Sequence, residues 1–157
     1  HAQIEADCVL CRHTLEHIDA VDAFLATIRA ACEGRDTIVF FEVPNVQRIL
    51  EVQAFWDIFT EHCSYFSPAS LAHLFRRNHF EVLDLYLGYD DQYLFVEARP
   101  VGAAGQTTHP LEEAVEVLRG QAHRFATAVE DQLQQWRARL LDFKQQRKKV
   151  VLCLCPF

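Results

Sequence analysis

Apolar residues form short continuous runs early in the chain and recur at helical spacing between these runs. Cys8–Cys11 and Thr37–Phe41 are apolar or nearly so and are flanked by charged residues, which is typical of strands buried on both faces of a parallel sheet. Between them the apolar residues follow helical spacing: Val21, Phe24, Leu25, Ile28 and Ala31. We expect Asp19 to cap this helix and Gly34 to end it. Strand, helix and strand with short joins predict a βαβ unit with parallel strands and a right-handed crossover.

The chain then predicts a second helix and a hairpin. Ser67 is a candidate N-cap, and Pro68 suits the first turn of a helix that ends near Asn78. Phe80–Leu87 and Tyr93–Arg99 are strand-like and are separated by a hairpin-length loop. The predicted fold class is therefore α/β, with a sheet that begins parallel and is closed by an antiparallel hairpin.

A long amphipathic helix is predicted to follow. Residues 101–109 are rich in small residues and predict a linker, and residues 110–148 predict a helical segment with Pro110 in its first turn. Apolar residues step by three and four along it, as in a heptad-like face. A single helix of this length would measure about 57 Å. We therefore expect a bend near Gly120 or packing on a further element; the alternative is two antiparallel helices broken at Gly120.

Elements without neighbours occur near both ends of the chain. The apolar run Val150–Cys155 predicts a strand, so residues 149–157 are interpreted as the start of a following domain. Cys8–Cys11 predicts a buried strand with no strand before it, and the first residue is His1 rather than methionine. We therefore expect a piece of a longer protein, in which residues 1–100 belong to a domain that begins before residue 1.

Composition limits the classes of function. Half of the 157 residues are hydrophobic and 24% are charged, as in an ordinary globular domain. The net charge of -7 argues against nucleic acid as a partner, because affinity for phosphates comes from lysine and arginine. No apolar run is long enough to cross a bilayer, and no signal peptide opens the chain. We expect a cytoplasmic protein without a membrane partner.

The cysteines raise the question of a metal site. Cys8 and Cys11 stand close to His13 and His17, as metal ligands often do. Alternation along a strand, however, points the two thiols to opposite faces, and no second cysteine pair completes a zinc site. We expect reduced thiols and no metal at these cysteines; a thiol or metal site there is the alternative that elemental analysis would test.

Candidate chemistry concentrates in residues 55–66, which we call the aromatic loop. Five aromatic side chains there accompany the adjacent Glu61 and His62. In open α/β sheets, ligands bind in loops beyond the carboxyl ends of strands. Histidine titrates near neutral pH, so His62 is a candidate general base. The alternative is a packed aromatic surface loop without chemistry.

Three segments together resemble one family. They are Cys-Arg-His-Thr-Leu-Glu-His-Ile at residues 11–18, Phe-Glu-Val-Pro-Asn at residues 41–45, and Glu-His-Cys-Ser-Tyr-Phe-Ser at residues 61–67. The sequence resembles class I S-adenosylmethionine-dependent methyltransferases, and within them the C-methyltransferases of nucleotide-linked deoxysugars. Leu-Glu-His is common to many class I methyltransferases, whereas Glu-His-x-x-Tyr-Phe is more specific to the sugar branch. The resemblance covers residues 6–99 and fits the long helix.

The resemblance implies S-adenosylmethionine as the cofactor, a nucleotide-linked keto-deoxysugar as the substrate and a Rossmann-like sheet. In that family, a zinc module and the glycine-rich turn that holds the cofactor would precede residue 1. A second α/β domain would follow the long helix. We therefore expect no zinc in this chain and no activity of this chain alone.

The resemblance also assigns three groups of residues. Those expected to contact the cofactor are Cys11, Arg12 and His13. Those expected to line the substrate pocket are Glu42, Asn45 and Phe59. Those expected to be catalytic are His62, Glu61 and Tyr65.

Alternatives stay open at several of these positions. Arg12 and His13 would otherwise make only surface contacts, and Asn45 suits a turn. We interpret His17 as a structural histidine satisfied by nearby backbone. Phe59 departs from the family, which often has a tyrosine at this position. Because phenylalanine cannot hold or relay a proton, we expect His62 and Glu61 to carry the proton transfer instead. The alternative function is a helical interaction module that self-associates through the long helix or the sheet edge.

Overall fold

A computed structural model describes residues 6–103, 105, 107–151 and 153. Its strands are β1 (Cys8–Arg12), β2 (Ile38–Pro44), β3 (Phe80–Gly88) and β4 (Tyr93–Pro100). Its helices are α1 (Val21–Ala31), α2 (Val46–Glu51), α3 (Pro68–Arg77) and α4 (Val115–Gln145). Short 3₁₀ turns at Leu15–His17 and Phe55–Asp57 complete the order.

The four strands form one mixed sheet in the order β1-β2-β4-β3. β1 pairs with β2 in parallel, from Cys8 opposite Ile38 to Arg12 opposite Glu42. β4 lies antiparallel to both β2 and β3. The predicted α/β fold, with a parallel pair closed by an antiparallel hairpin, is therefore confirmed. The parallel register brings Arg12 and Glu42 together at the carboxyl ends of their strands.

The hydrophobic core lies on one face of the sheet. Successive side chains of a strand point to opposite faces. Phe41 of β2 points into the core, where its ring meets Phe75 of α3 at 5.1 Å and Phe75 meets Phe80 at 5.6 Å. Phe40 points the other way, and its ring lies 5.7 Å from that of Phe95. The core residues fix α1 and α3 against the sheet.

β1 lies at the edge of the sheet. The apolar run by itself predicts a strand buried on both faces, but with no strand before it we expect an open edge in this chain, and Leu10 is 69% exposed accordingly. Cys8 is exposed and Cys11 is buried, which agrees with thiols on opposite faces. A continuous apolar run does not distinguish an edge strand from a central one, because the difference depends on the neighbouring strand.

The helix boundaries were partly predicted. Ser67 caps α3 in a reciprocal capping box with Ser70, and Asn78 follows its last turn, as expected. Asp19 is not a cap: α1 begins at Val21 after Ala20, with no side-chain cap. Gly34 adopts a φ of 77° in the turn beyond α1, a conformation that glycine reaches without strain.

α4 is one continuous helix of 31 residues, so the alternative of two helices broken at Gly120 is wrong. At about 1.5 Å per residue it spans roughly 46 Å. It begins at Val115, not near Pro110 as predicted. The start of α4 contacts α2, whereas Trp136 near its far end is 55% exposed.

Residues 109–113 are attached to α3 instead of continuing α4 towards the N-terminus. Glu112 accepts a hydrogen bond from Nη1 of Arg76 at 2.8 Å, and both side chains are largely buried. Glu113 accepts from the backbone N–H of Ala69 at 3.1 Å, in the first turn of α3. These contacts explain why the helix cannot begin at Pro110.

The predicted strand Val150–Cys155 lies partly outside the described residues. Val150 and Val151 are exposed and belong to no strand, so the strand is not formed in these residues. Among the described residues, no helix combines the length and the hydropathy that crossing a bilayer requires.

The capping box of α3 leads to a stability prediction. Ser67→Ala should lower the free energy of unfolding by about 1 kcal/mol, because it removes the buried Ser67 hydroxyl that accepts from the Ser70 backbone N–H. Urea denaturation of the 157-residue chain measures this change. Thr127→Ala, at an exposed position of α4, is the control and should stay within about 0.5 kcal/mol. Equal losses in both variants would contradict the capping role.

Candidate active site

A cleft of about 280 Å³ opens where β1 and β2 end. Its walls come from four places: the turn after β1, the end of β2 with α2, the aromatic loop and the β3–β4 turn. The lining residues are His13, Glu16, His17, Pro44, Asn45, Arg48, Ile49, Asp57, Phe59, His62, Gln92 and Tyr93. The cleft therefore lies beyond the carboxyl ends of the parallel strands, as the sequence predicts.

Glu42 is the buried charge at the end of β2. Its side chain is 1% exposed, and it accepts hydrogen bonds from Nε and Nη2 of Arg12, the latter at 3.3 Å. Nε2 of His13 lies 3.0 Å from Oε1 of Glu42, the oxygen that also accepts from Nη2 of Arg12. Hydrogen bonding to Glu42 raises the pKa of the Arg12 guanidinium above its ordinary value. The parallel register, which places Arg12 opposite Glu42, thus supplies the partner that a buried carboxylate needs.

His13 connects this pair to a second buried carboxylate. It has a φ of 47°, and its ring lies edge-on to Tyr93 at 4.8 Å. Nδ1 of His13 is 3.7 Å from Oε1 of Glu16, which is 2% exposed. His13 therefore stands between Glu42 and Glu16.

The Leu15–His17 turn holds the aromatic loop in place. Leu15 is fully buried in the core and anchors the turn. The backbone carbonyl of Glu16 accepts from the N–H groups of Cys63 at 2.7 Å and Ser64 at 3.1 Å. These two bonds fix the two residues that directly follow His62, which lines the cleft.

His17 contributes a further bond to the loop. Its Nδ1 lies 2.8 Å from the carbonyl oxygen of Glu61. A carbonyl only accepts, so Nδ1 carries the hydrogen and Nε2 keeps its lone pair. The backbone partner agrees with the interpretation of His17 as a structural histidine.

His62 is half-buried among rings. Its ring centroid lies 3.9 Å from that of Phe59, 4.9 Å from that of His17 and 5.7 Å from that of Tyr65. Its Nδ1 is buried and has no hydrogen-bond partner among the described residues. Burial away from water is the main cause that lowers the pKa of His62 below its ordinary value. The neutral imidazole, which has a lone pair to accept a proton, is therefore favoured.

The other predicted catalytic residues are placed differently. Glu61 is exposed and does not line the cleft; its carboxylate accepts from the hydroxyl of Thr60 at 3.2 Å. The Tyr65 hydroxyl accepts from the N–H of Phe59 at 3.1 Å and lies 3.3 Å from its carbonyl oxygen. Tyr65 thus closes the aromatic loop on itself.

Of the predicted binding residues, some line the cleft and others do not. Phe59 and Asn45 line the cleft. Asn45 also serves as a turn residue: its Oδ1 accepts from Gln47 to cap α2, and its Nδ2 donates to the carbonyl of Asp91 at 3.0 Å. Cys11 lies in the hydrophobic core, where burial raises the pKa of its thiol.

Glu16 is a buried site residue to which the sequence analysis assigned no role. It stands in the Leu-Glu-His segment that carries part of the family resemblance, and that segment is the signal that could have identified it. The local pattern does not show its burial, which depends on Leu15 holding the short turn against the core. Oε2 of Glu16 is buried and has no hydrogen-bond partner in the described part of the chain.

Comparison with known proteins finds one matching family and a similar solved structure. The family model described as "Methyltransferase domain" matches residues 2–85, more than half of the 157 residues. A solved structure, magnesium protoporphyrin IX methyltransferase (ChlM) from Synechocystis PCC 6803 with bound SAH, is similar at 14% identity and a TM-score of 0.46. The similarity covers 64% of this chain and 48% of that one, so the chain spans about half of that length. No curated protein matches the sequence.

The closure of the aromatic loop leads to a second prediction. Tyr65→Phe removes the acceptor of the Phe59 N–H, so amide exchange at Phe59 should become about two- to tenfold faster, as for the loss of one neutral hydrogen bond. Exchange measured by NMR tests this. Tyr89→Phe, on a mostly exposed ring, is the matched control and should leave Phe59 unchanged. Unaltered exchange at Phe59 in Tyr65→Phe would show that the hydroxyl does not hold the loop.

Proposed function

The chain belongs to the methyltransferase domain family, and we propose that the intact protein methylates a carbon of a nucleotide-linked keto-deoxysugar with S-adenosylmethionine. The family match supports methyl transfer in general. The segments at residues 11–18, 41–45 and 61–67 support the sugar C-methyltransferase branch. The observation that carries the proposal is the half-buried His62, with its lowered pKa, on the wall of the cleft.

The cofactor side of the proposal rests on the end of β1. S-Adenosylmethionine supplies an electrophilic methyl group on a sulfonium and carries a carboxylate at its methionine end. Arg12 is 56% exposed and has five N–H donors, of which only those on Nε and Nη2 face Glu42. The remaining donors suit a carboxylate. We therefore propose that Arg12 and His13 bind the methionine end, while Cys11 supports β1 from the core.

Catalysis requires a carbon nucleophile, which His62 would generate. In the neutral imidazole one ring nitrogen carries a lone pair, and this nitrogen takes the proton from the carbon next to the substrate ketone. The electron pair of the broken C–H bond becomes that of an enolate. Bound S-adenosylmethionine would supply the methyl group, which the enolate carbon would take as the sulfur–methyl bond breaks, with S-adenosylhomocysteine as the second product. The proton stays on His62 until it is released to solvent. A general base works best when its pKa lies near the working pH, and histidine is the side chain that titrates in this range.

The remaining lining residues suit a sugar ring. Phe59 gives an apolar wall beside His62, and Asn45 also lines the cleft. Glu42 orients the cofactor-side residues, Arg12 and His13. Glu61 is proposed to contact a sugar hydroxyl from the rim while its carbonyl holds His17.

The thiols support a proposed location in the cytoplasm. The five described cysteines are free: Cys8, Cys11, Cys32, Cys63 and Cys153. Free thiols are the rule in reducing compartments.

A second candidate function is self-association through α4. Leu133, Trp136 and Leu140 are each about half exposed on this helix. An apolar stripe of this kind on a long helix suits a helical partner. This candidate requires neither His62 nor the cofactor, and it is compatible with methyl transfer by the same protein.

The base assignment is tested by turnover of the intact protein. His62→Ala should lower turnover by about 10²–10⁴-fold, the usual effect of losing a general base, with cofactor affinity nearly unchanged. His73→Ala, on the exposed side of α3, is the histidine control and should retain activity. Phe59→Tyr should not lower activity, because it introduces the residue common in the related family. Turnover of His62→Ala within a few-fold of the unmodified protein would refute the assignment.

A further inference from the structure

We propose that Glu16, His17 and His62 form a binding site for a divalent transition-metal ion of the zinc class. We further propose that an ion held there stops His62 from acting as a base. The second statement rests on the proposed function, whereas the first does not.

The three side chains already converge. Among the residues that the structure describes, one ligand atom from each of Glu16, His17 and His62 lies within 4.8 Å of the others. In a tetrahedral site with bonds of about 2.1 Å, neighbouring ligand atoms are about 3.4 Å apart. The ligand atoms therefore need to approach one another by at most about 1.4 Å to close the site.

Two unsatisfied atoms give independent evidence for a ligand. Oε2 of Glu16 and Nδ1 of His62 are both buried, and neither has a hydrogen-bond partner among the described residues. Glu16 as a whole is 2% exposed, so water has little access to its carboxylate. Buried polar atoms normally have partners, and an unpaired buried carboxylate oxygen is costly. A bound cation would satisfy both atoms at once.

The hydrogen bond of His17 to the backbone is of the kind that metal-binding histidines make. Ligating histidines usually donate their second ring N–H to a carbonyl or carboxylate, which fixes the tautomer. His17 does this through Nδ1, at 2.8 Å from the carbonyl of Glu61, and so keeps the Nε2 lone pair for a ligand. Nδ1 of His13 approaches the other oxygen of Glu16 at 3.7 Å. Glu16 therefore has an outer partner of its own.

The ligand set indicates the class of ion. Two imidazoles and one carboxylate suit zinc, iron(II) and similar ions, and they leave at least one coordination position open. All three residues line the cleft, so that position faces the substrate side. Magnesium and calcium prefer all-oxygen ligands and fit this set poorly.

A bound ion has a definite consequence for His62. An imidazole that gives one nitrogen lone pair to a metal carries its proton on the other nitrogen, whichever of the two binds. No lone pair then remains to accept a proton from the substrate. The bound ion should therefore inhibit methyl transfer, and a substrate in the cleft should compete with it.

Calorimetric titration with Zn²⁺ tests the site. The chelator-treated 157-residue chain should bind one Zn²⁺, and Co²⁺ in its place should give the absorption of a nitrogen- and oxygen-ligated ion. Glu16→Gln keeps the size of the side chain but removes the charge. Loss of even an outer partner costs about 10–100-fold in metal affinity, so loss of a ligand should weaken binding by at least about tenfold. His73→Gln is the control and should bind as the unmodified chain does.

A second variant covers the case in which Glu16→Gln does not fold. His17 is exposed, so His17→Gln should fold and should also bind at least about tenfold more weakly. Absence of binding, or equal affinity in all variants, would overturn the metal site. Binding without inhibition of the intact protein would overturn only the second statement. Zinc binding together with normal turnover of His62→Ala would instead refute the base assignment and leave the metal site standing.

Discussion

Two backbone hydrogen bonds to one carbonyl hold the candidate site together. The carbonyl of Glu16 accepts from Cys63 and Ser64, and the aromatic loop thereby rests on the turn that follows β1. The turn itself is anchored by Leu15, which is fully buried in the core. Together with the bond from Nδ1 of His17 to the Glu61 carbonyl, this attachment sets the position of His62 relative to the end of the sheet. The chemistry of the loop therefore depends on a short turn more than forty residues earlier.

The second constraint is electrostatic. Glu42 and Glu16 are both buried at the carboxyl ends of the parallel strands, and His13 lies between them. Arg12 compensates Glu42 directly, whereas Oε2 of Glu16 has no hydrogen-bond partner in the part of the chain that the structure describes. A buried carboxyl oxygen without a partner costs free energy and therefore requires an explanation, of which a functional role is one. This asymmetry distinguishes the cleft from an ordinary aromatic surface loop.

The sequence predicts the fold well where local signals decide it. The parallel pair, the hairpin and the Ser67 cap follow from runs, spacing and capping chemistry, and the structure confirms them. It fails where distant contacts decide. α4 starts at Val115 and not near Pro110, because Glu112 binds Arg76 of α3. The buried Glu16 was missed for the same reason, since its burial depends on the loop that covers it.

The proposed function depends on one step, in which His62 in the cleft removes a proton from a carbon next to a ketone. The most direct test incubates the intact protein with a nucleotide-linked keto-deoxysugar and S-adenosylhomocysteine in D₂O, so that no methyl group is available. NMR of the recovered sugar should then show deuterium at that carbon, and His62→Ala should abolish the exchange. Methyl transfer onto that sugar carbon under turnover conditions, without any deuterium exchange that depends on His62, would contradict the account.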